Sequence, residues 1–461
     1  MKLQYKHIVA IIYTVALFLD RLDLTIVNVI LPALAEQLEV PITSINVIST
    51  SFLTALAISI PISSWIGDRI GLKTSYLIAI TLFGFGISMC AFAGSLQTII
   101  ILRFIQGLGS GMLIPLGMTM LYRTYDKSEY ASITSFTFLP SLIAPALAPF
   151  LGGILLDCFG WRVVFLFSGP ICLMLFIMTL FLVKEDGYRS NKKFDFGGFI
   201  LGSTMLSDIF YTLSLISTEG ITNEVIFVII IGVVCILLFI LWETKQTHPL
   251  IDLSFFKNDN FAKANLLQLC FQICHFGAIF LVGMYLQVGI KMPASTAGLI
   301  MGMQAIGAMM VSRYSVRLFN RYGAKMPIAI GLAGVAILSP CILLLRAPDT
   351  IVFGSLLFLI RGIFSGLCGT PIQTLSVIDC AKEKIAQVTS VFNACRQVAI
   401  SSGIACSSIL LSVGFQGREL SSGILVDINQ VMLVFAPGFI WISIVAFVGV
   451  LIIYSLKSGH N

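Results

Sequence analysis

Charge is what this sequence has least of. Only 11% of its 461 residues are Asp, Glu, Lys or Arg and 57% are hydrophobic, whereas soluble chains average about 25% charged residues. That deficit exceeds what a large apolar core accounts for, and it excludes a water-soluble globular fold. The longest polar stretch runs only from Glu243 to Lys263, which leaves no room for a soluble domain. No G-x-x-x-x-G-K-[ST] loop occurs, so nucleotide-driven chemistry has no binding element. Histidine is scarce, at four residues, and His275 is the one that falls within a predicted helix. It has no nucleophile or metal partner nearby in sequence, which argues against an intramembrane enzyme. The eleven cysteines are scattered; Cys270 and Cys274 share a helix face, but with no metal-ligand spacing around them all eleven read as small packing residues and no metal site is expected.

What is abundant is apolar length. Runs of about 20 residues, enough to cross a roughly 30 Å hydrocarbon core, recur along the whole chain. They predict an all-α integral membrane protein of fourteen transmembrane helices with a mean hydropathy of +0.99. An even count places both termini on one side. Loops on that side hold 20 of the 28 Lys and Arg residues and the opposite loops hold 4, so both termini are expected in the cytoplasm of a cell inner membrane. The net charge of +6 is mostly this orientation signal, and nucleic acid is not an expected partner. No small-residue cleavage site follows the first apolar run, which is expected to stay as an anchor.

The chain repeats itself. "GDRIGLK" (Gly67 to Lys73) follows the second predicted helix and "FNRYGAK" (Phe319 to Lys325) follows the tenth, sharing Arg, Gly and Lys at an offset of 252. "QGLGSG" (Gln106 to Gly111) and "RGIFSG" (Arg361 to Gly366) share two Gly and a Ser at an offset of 255. Two independent matches at nearly one offset argue for duplication, with a six-helix bundle over residues 1–183, an inserted segment with two helices over 184–260 and a second six-helix bundle over 261–461. Two such halves rocking about a shared site form one of the standard carrier architectures.

The first helix carries Asp20, Arg21 and Asp23 within four residues. At about 2.5 to 3.5 kcal/mol for each charge at a helix centre, the three cost roughly 8 to 10 kcal/mol unless they meet polar surroundings or one another. Arg21, Thr25, Asn28 and Pro32 fall on one stripe, and Asp20 and Asp23 on a neighbouring one. That polar side is expected to face a central, water-filled cavity; an Asp20 to Arg21 pair that only fixes packing is the alternative. Burial favours a protonated acid and a nearby guanidinium favours the anion, so movement of Arg21 or Arg103 relative to Asp23 would couple conformation to protonation.

These residues resemble the fourteen-helix drug:proton antiporters of the major facilitator superfamily. "LDLTIVNVILP" (Leu22 to Pro32) is similar to that branch's first-helix signature at Asp23, Thr25, Asn28 and Pro32. "SWIGDRIGLK" (Ser64 to Lys73) resembles the superfamily's loop motif at Asp68, Arg69, Gly71 and Lys73, with Ser64 and Leu72 departing from it. The resemblance implies a latch at the cytoplasmic surface. There Asp68 could cap or oppose a neighbouring helix N-terminus, with Arg396 of "NACRQVAISSGIA" close by. "RFIQGLGSG" (Arg103 to Gly111) is similar to the motif tied to proton coupling in that family, and places Arg103, Gln106, Gly107 and Ser110 on one face. "APALAPFLGG" (Ala144 to Gly153) resembles the antiporter motif at Pro149, Gly152 and Gly153, with Ala144 and Ala148 in place of two Gly.

The resemblance implies the superfamily's fold and proton-coupled export of small organic, amphipathic or cationic compounds by alternating access. The unit of transport is expected to be a monomer, with the proton gradient as energy source and no bound cofactor. A dedicated carrier for an endogenous metabolite or siderophore, in export or symport, is the second reading, and a non-transporting receptor or scaffold the third. Proton coupling falls to Asp23, Arg103, Asp20 and Arg21. The substrate cavity is expected to draw on Asn28, Thr25, Gln106, Gln268, Gln272, His275 and Arg361. For His275 a bond to a neighbouring helix is an equal alternative. Asp208, deep in the first inserted helix, reads as a polar anchor.

Overall fold

A lipid-embedded backbone has to satisfy its own hydrogen bonds, and helices do so within one segment. The computed structural model describes residues 4–38, 47–185, 187–189, 194–219, 222–246, 249, 252–347, 350–416 and 428–455. Among these it forms fourteen long helices and no strand. They are α1 (Tyr5–Gln37), α2 (Val47–Ile70), α3 (Leu72–Cys90), α4 (Leu96–Thr124), α5 (Tyr130–Phe159), α6 (Trp161–Leu182), α7 (Phe196–Glu219), α8 (Asn223–Glu243), α9 (Asp259–Met284), α10 (Ala294–Tyr322), α11 (Lys325–Cys341), α12 (Ile351–Val377), α13 (Ile385–Gln416) and α14 (Ile428–Tyr454).

Ten of the fourteen are long and apolar enough to cross a membrane on composition alone. The other four are α1, α5, α7 and α10. Of these, α1 carries three charges near its middle and α10 carries Arg313, Arg317 and Arg321 toward one end.

Local signals set several boundaries. Ser95 caps α4 by accepting from the Thr98 amide at 3.3 Å, and Asn258 caps α9 by accepting from the Phe261 amide at 3.1 Å. Each spares an orphan donor at a helix start. Between α2 and α3 the chain reverses through one residue, Gly71, with φ +98°; between α10 and α11 it reverses through Gly323, with φ +71°, and Ala324. These are the glycines shared by the two repeated loops. The left-handed conformation explains why both repeats retain glycine there.

By compactness the chain divides into two units. The first gathers Met1–Tyr211, Val228–Phe255 and Cys380–Ala394; the second gathers Thr212–Phe227, Phe256–Asp379 and Cys395–Asn461. The division therefore falls inside α7, inside α8 and inside α13. In the first unit, α7 is tied to α2 by Ser203, whose hydroxyl donates to the Ile58 carbonyl at 3.3 Å. Asp208 sits half-buried with its carboxylate against Gly232 of α8.

Each unit has its own apolar core. In the first, Ile26, Ile30 and Leu34 of α1 share a cluster with Ala144 and Ala148 of α5 and Trp161 and Phe165 of α6. In the second, α9 widens into a π-turn at Tyr285–Gly289. Tyr285 packs edge-on against Phe435 and Phe439 of α14, and its hydroxyl donates to the Leu345 carbonyl at 2.7 Å.

Candidate functional site

The charges of α1 find their partners on α4. Arg103 donates from Nη1 to Asp23 Oδ2 at 2.8 Å, and Gln106 donates from Nε2 to the same oxygen at 2.9 Å. Arg103 Nη1 also donates to Gln106 Oε1 at 2.5 Å, and its guanidinium lies 4.4 Å from the ring centre of Phe52 on α2. Asp23 Oδ1 is buried with no hydrogen-bond partner. One turn away, Ser110 donates to Asp20 Oδ1, and Arg21 Nε lies 3.7 Å from Asp20 Oδ2.

Small residues on α4 make this reach feasible. A side chain at Gly107 would meet the backbone of Phe52 and the Cβ of Ala55 at 2.8 Å, and one at Gly109 would meet the Ala79 carbonyl at 2.6 Å. Those glycines let α2 and α3 close on α4 from two sides, which presents Arg103, Gln106 and Ser110 to α1.

The expectation that the polar side of α1 opens onto a wet central cavity needs correction in this conformation. Asp23 and Gln106 are 0% exposed and Arg103 2%. The carboxylate stripe faces α4 in its own unit, because a desolvated acid is held best by a guanidinium and an amide within reach. Arg21 is buried and Thr25, whose hydroxyl donates to the Arg21 carbonyl at 3.4 Å, is half-buried. The side chains of Asn28 and Pro149 lie outside the described residues.

The second unit holds a cluster that sequence reading only half anticipated. Arg361 of α12 donates from Nη1 to Gln304 Oε1 of α10 at 2.6 Å and from Nη2 to the Cys274 carbonyl at 3.0 Å. Gln304 Nε2 and His275 Nδ1 are 3.0 Å apart. Arg361 and His275 are thus brought together through Gln304, a residue the sequence reading did not single out. Gln268 and Gln272 are buried on the same helix as His275.

The loop after α2 is held by a strap from the end of α6. Glu185 accepts from the Lys73 amide at 3.1 Å and from the Thr74 hydroxyl at 3.3 Å, so it caps the N-terminus of α3 with a negative charge. Lys73 Nζ donates to the Leu180 carbonyl at 2.6 Å. The capping role expected of Asp68 is filled here by Glu185. Asp68 is instead paired with Arg123 of α4 at 2.9 Å, and Arg123 lies over the ring of Tyr188 and donates to the Lys382 carbonyl at 3.2 Å. Arg69 is exposed at the end of α2. Arg396 lies buried three turns into α13 and belongs to the second unit. At the start of α13, Thr389 and Thr119 hydroxyls are 2.8 Å apart, and Ser390 donates to the Ile60 carbonyl at 2.8 Å.

The antiporter-like stretch of α5 divides by environment. Ala144 and Ala148 are 0% exposed in the cluster with α1, and Gly152 is buried, whereas a side chain at Gly153 would meet nothing within 4 Å. Ala148→Leu is therefore expected to lower stability by about 1–3 kcal/mol through overpacking, and Gly153→Ala to leave it unchanged or raise it by roughly 0.5–1 kcal/mol. Unfolding of the purified variants in mixed micelles measures both; equal effects would show that α5 does not pack on α1 in this way.

Fourteen long helices in two compact units, each with a buried polar cluster at the matching place in its repeat, define a multi-pass membrane protein of the transporter class. The model of the Major Facilitator Superfamily matches residues 13–404, and the chain belongs to that superfamily. Among its relatives is MdtD of Escherichia coli O1:K1 / APEC, 27% identical over 413 residues that cover 88% of this chain and 86% of that protein. MdtD of Klebsiella pneumoniae subsp. pneumoniae is 26% identical over 417 residues, covering 90% and 88%. Their name proposes multidrug resistance for those proteins. The crystal structure of the human organic anion transporter MFSD10 (TETRAN) superposes with a TM-score of 0.68 over 98% of this chain and 100% of that one. At 11% identity that likeness speaks to the fold alone. The protein is thus a multi-pass transporter of this superfamily, with a small molecule as substrate.

Proposed function

We propose that this transporter is a proton-coupled antiporter of the cytoplasmic membrane that exports small amphipathic organic compounds by alternating access, as a monomer with both termini in the cytoplasm. The observation that carries the reading is Asp23, 0% exposed, with one oxygen held by Arg103 and Gln106 and the other free of any hydrogen bond. A proton arriving at the free oxygen discharges the carboxylate and leaves the Arg103 guanidinium without its counter-charge. Losing one partner of a buried pair costs about 3–5 kcal/mol, so protonation favours a different helix arrangement in which Arg103 is solvated or repaired. One proton moving inward supplies about 2.3 kcal/mol per 100 mV, enough to bias two states separated by that order of energy.

The strap of Glu185 and Arg123 around the α2–α3 loop supports the reading at the other scale, since it braces the end of the bundle that carries most basic loops. The relatives' proposed role in drug resistance supports export. The test is uptake into inside-out vesicles of a chemically diverse panel of cationic, neutral and anionic fluorescent probes under an imposed pH gradient. At least one probe is expected to accumulate, and collapsing the gradient with an ionophore is expected to release it. Accumulation indifferent to the gradient would sink proton coupling.

A further inference from the structure

The two units carry positionally equivalent polar clusters that differ in charge. The offset of 252 that superposes the repeated loops also carries Asp23 to His275, Phe52 to Gln304 and Leu56 to Ala308. The offset of 255 carries Gln106 to Arg361 and Arg103 to Phe358. Packing follows the same correspondence. A side chain at Gly107 would strike the backbone of Phe52, and one at Gly362 that of Gln304; Gly111 faces Leu56 as Gly366 faces Ala308.

Equivalent places therefore hold different chemistry. In the first unit an acid and a guanidinium are both present and neutralise each other. In the second, the guanidinium occupies the place of the first unit's amide, and a histidine stands where the acid would be. None of the ion pairs among the described residues involves Arg361. It is 1% exposed, its acceptors are the neutral oxygens of Gln304 and Cys274, and its Nε has no partner.

A buried charge compensated only by neutral dipoles is held at a cost that a counter-charge would relieve. A guanidinium offers a planar fork matched to an oxyanion, and such charge-assisted bonds are about twice as strong as neutral ones. The Gln304 carbonyl at 2.6 Å marks where an anionic oxygen would sit, and Nε supplies the open donor beside it. His275, bonded to the Gln304 amide, holds that side chain with its carbonyl toward Arg361, as a stand-in that an incoming anion displaces.

We propose that the His275–Gln304–Arg361 cluster of the second unit recognises an anionic oxygen group, a carboxylate or comparable oxyanion, on the transported compound; this rests on the transport reading given above. It points the substrate class away from purely cationic compounds and toward acids or zwitterions with an apolar body.

The experiment uses the purified full chain in nanodiscs and two isosteric probes, 1-naphthoate and its neutral amide 1-naphthamide. Wild type is expected to bind the acid about tenfold or more tightly than the amide, as one charge-assisted bond provides. Arg361→Gln is expected to erase that preference and Arg361→Lys to keep part of it. The wild-type comparison does not depend on either variant folding. Equal affinity of wild type for acid and amide, binding of neither, or a preference that survives in folded Arg361→Gln would each overturn the proposal. Gradient-driven uptake of the broader panel is measured in parallel. If a probe is transported but the acid is not preferred, this proposal alone fails; if no probe is transported, the transport reading has failed and this proposal falls with it.

Discussion

Asp23→Asn is expected to abolish gradient-driven accumulation of whichever probe the wild type transports, bringing it to the level of empty vesicles, while exchange of that probe between two loaded compartments persists. The asymmetry follows from the geometry. Asn keeps the size of Asp and can still accept from Arg103 and Gln106 through its amide oxygen, so the contact between α1 and α4 survives in outline. It cannot gain or lose a proton at any accessible pH, and the buried guanidinium then never changes its electrostatic surroundings. Net proton movement stops, but a conformational cycle that needs only bound substrate can continue. Glu at the same position would restore a titrating group but add a methylene inside a closed contact, so partial recovery of accumulation is the expected outcome there. Accumulation by Asp23→Asn at the wild-type level would move proton coupling to another group and remove the main support for the mechanism.

Much of this arrangement was readable in the sequence because lipid imposes few solutions on a chain. Apolar runs of spanning length gave fourteen helices, and the structure has fourteen long ones among the described residues. The shared glycine of the two loops reappears as Gly71 and Gly323, both with positive φ, because a reversal between helices through one or two residues demands that conformation. Asp23 and Arg103 could be paired from the face of α4 that carries Arg103, Gln106 and Ser110, since helical spacing fixes which residues share a side.

Other features needed tertiary information. Periodicity shows that one side of α1 is polar but not whether a neighbouring helix or water meets it, and here a neighbouring helix does. Phe52 closes over the Arg103 guanidinium as one apolar residue among many on α2, with nothing local to mark it. Glu185 caps α3 from 112 positions away, and an acidic residue in a polar connector carries no local sign of that role. Gln304 is the instructive miss. The repeat offset is visible only in motifs that match by identity, and Gln304 matches Phe52 in position but not in kind. The functional comparison lay in the positions that differ, where the second copy keeps the packing glycines and changes the charge.

Arg103→Ala is expected to be the most destabilising single change in the first unit, by about 3–5 kcal/mol, since it strands the Asp23 carboxylate in a place with no access to water. The guanidinium's contact with the Phe52 ring adds up to about 2 kcal/mol when desolvated, and Arg103→Lys would lose most of it along with the simultaneous bonds to Asp23 and Gln106. The pairing can be separated from simple loss of packing by a double-mutant cycle. Arg103→Gln in an Asp23→Asn background removes both charges together and should cost less than the two single changes predict, by roughly 0.5–3 kcal/mol. Unfolding in mixed micelles of the four proteins supplies the cycle. Strict additivity, or a loss below about 1 kcal/mol for Arg103→Ala, would mean that the two side chains do not depend on each other. The proton would then have no lever on the helices, because the lever proposed here is the guanidinium that a neutralised Asp23 leaves behind.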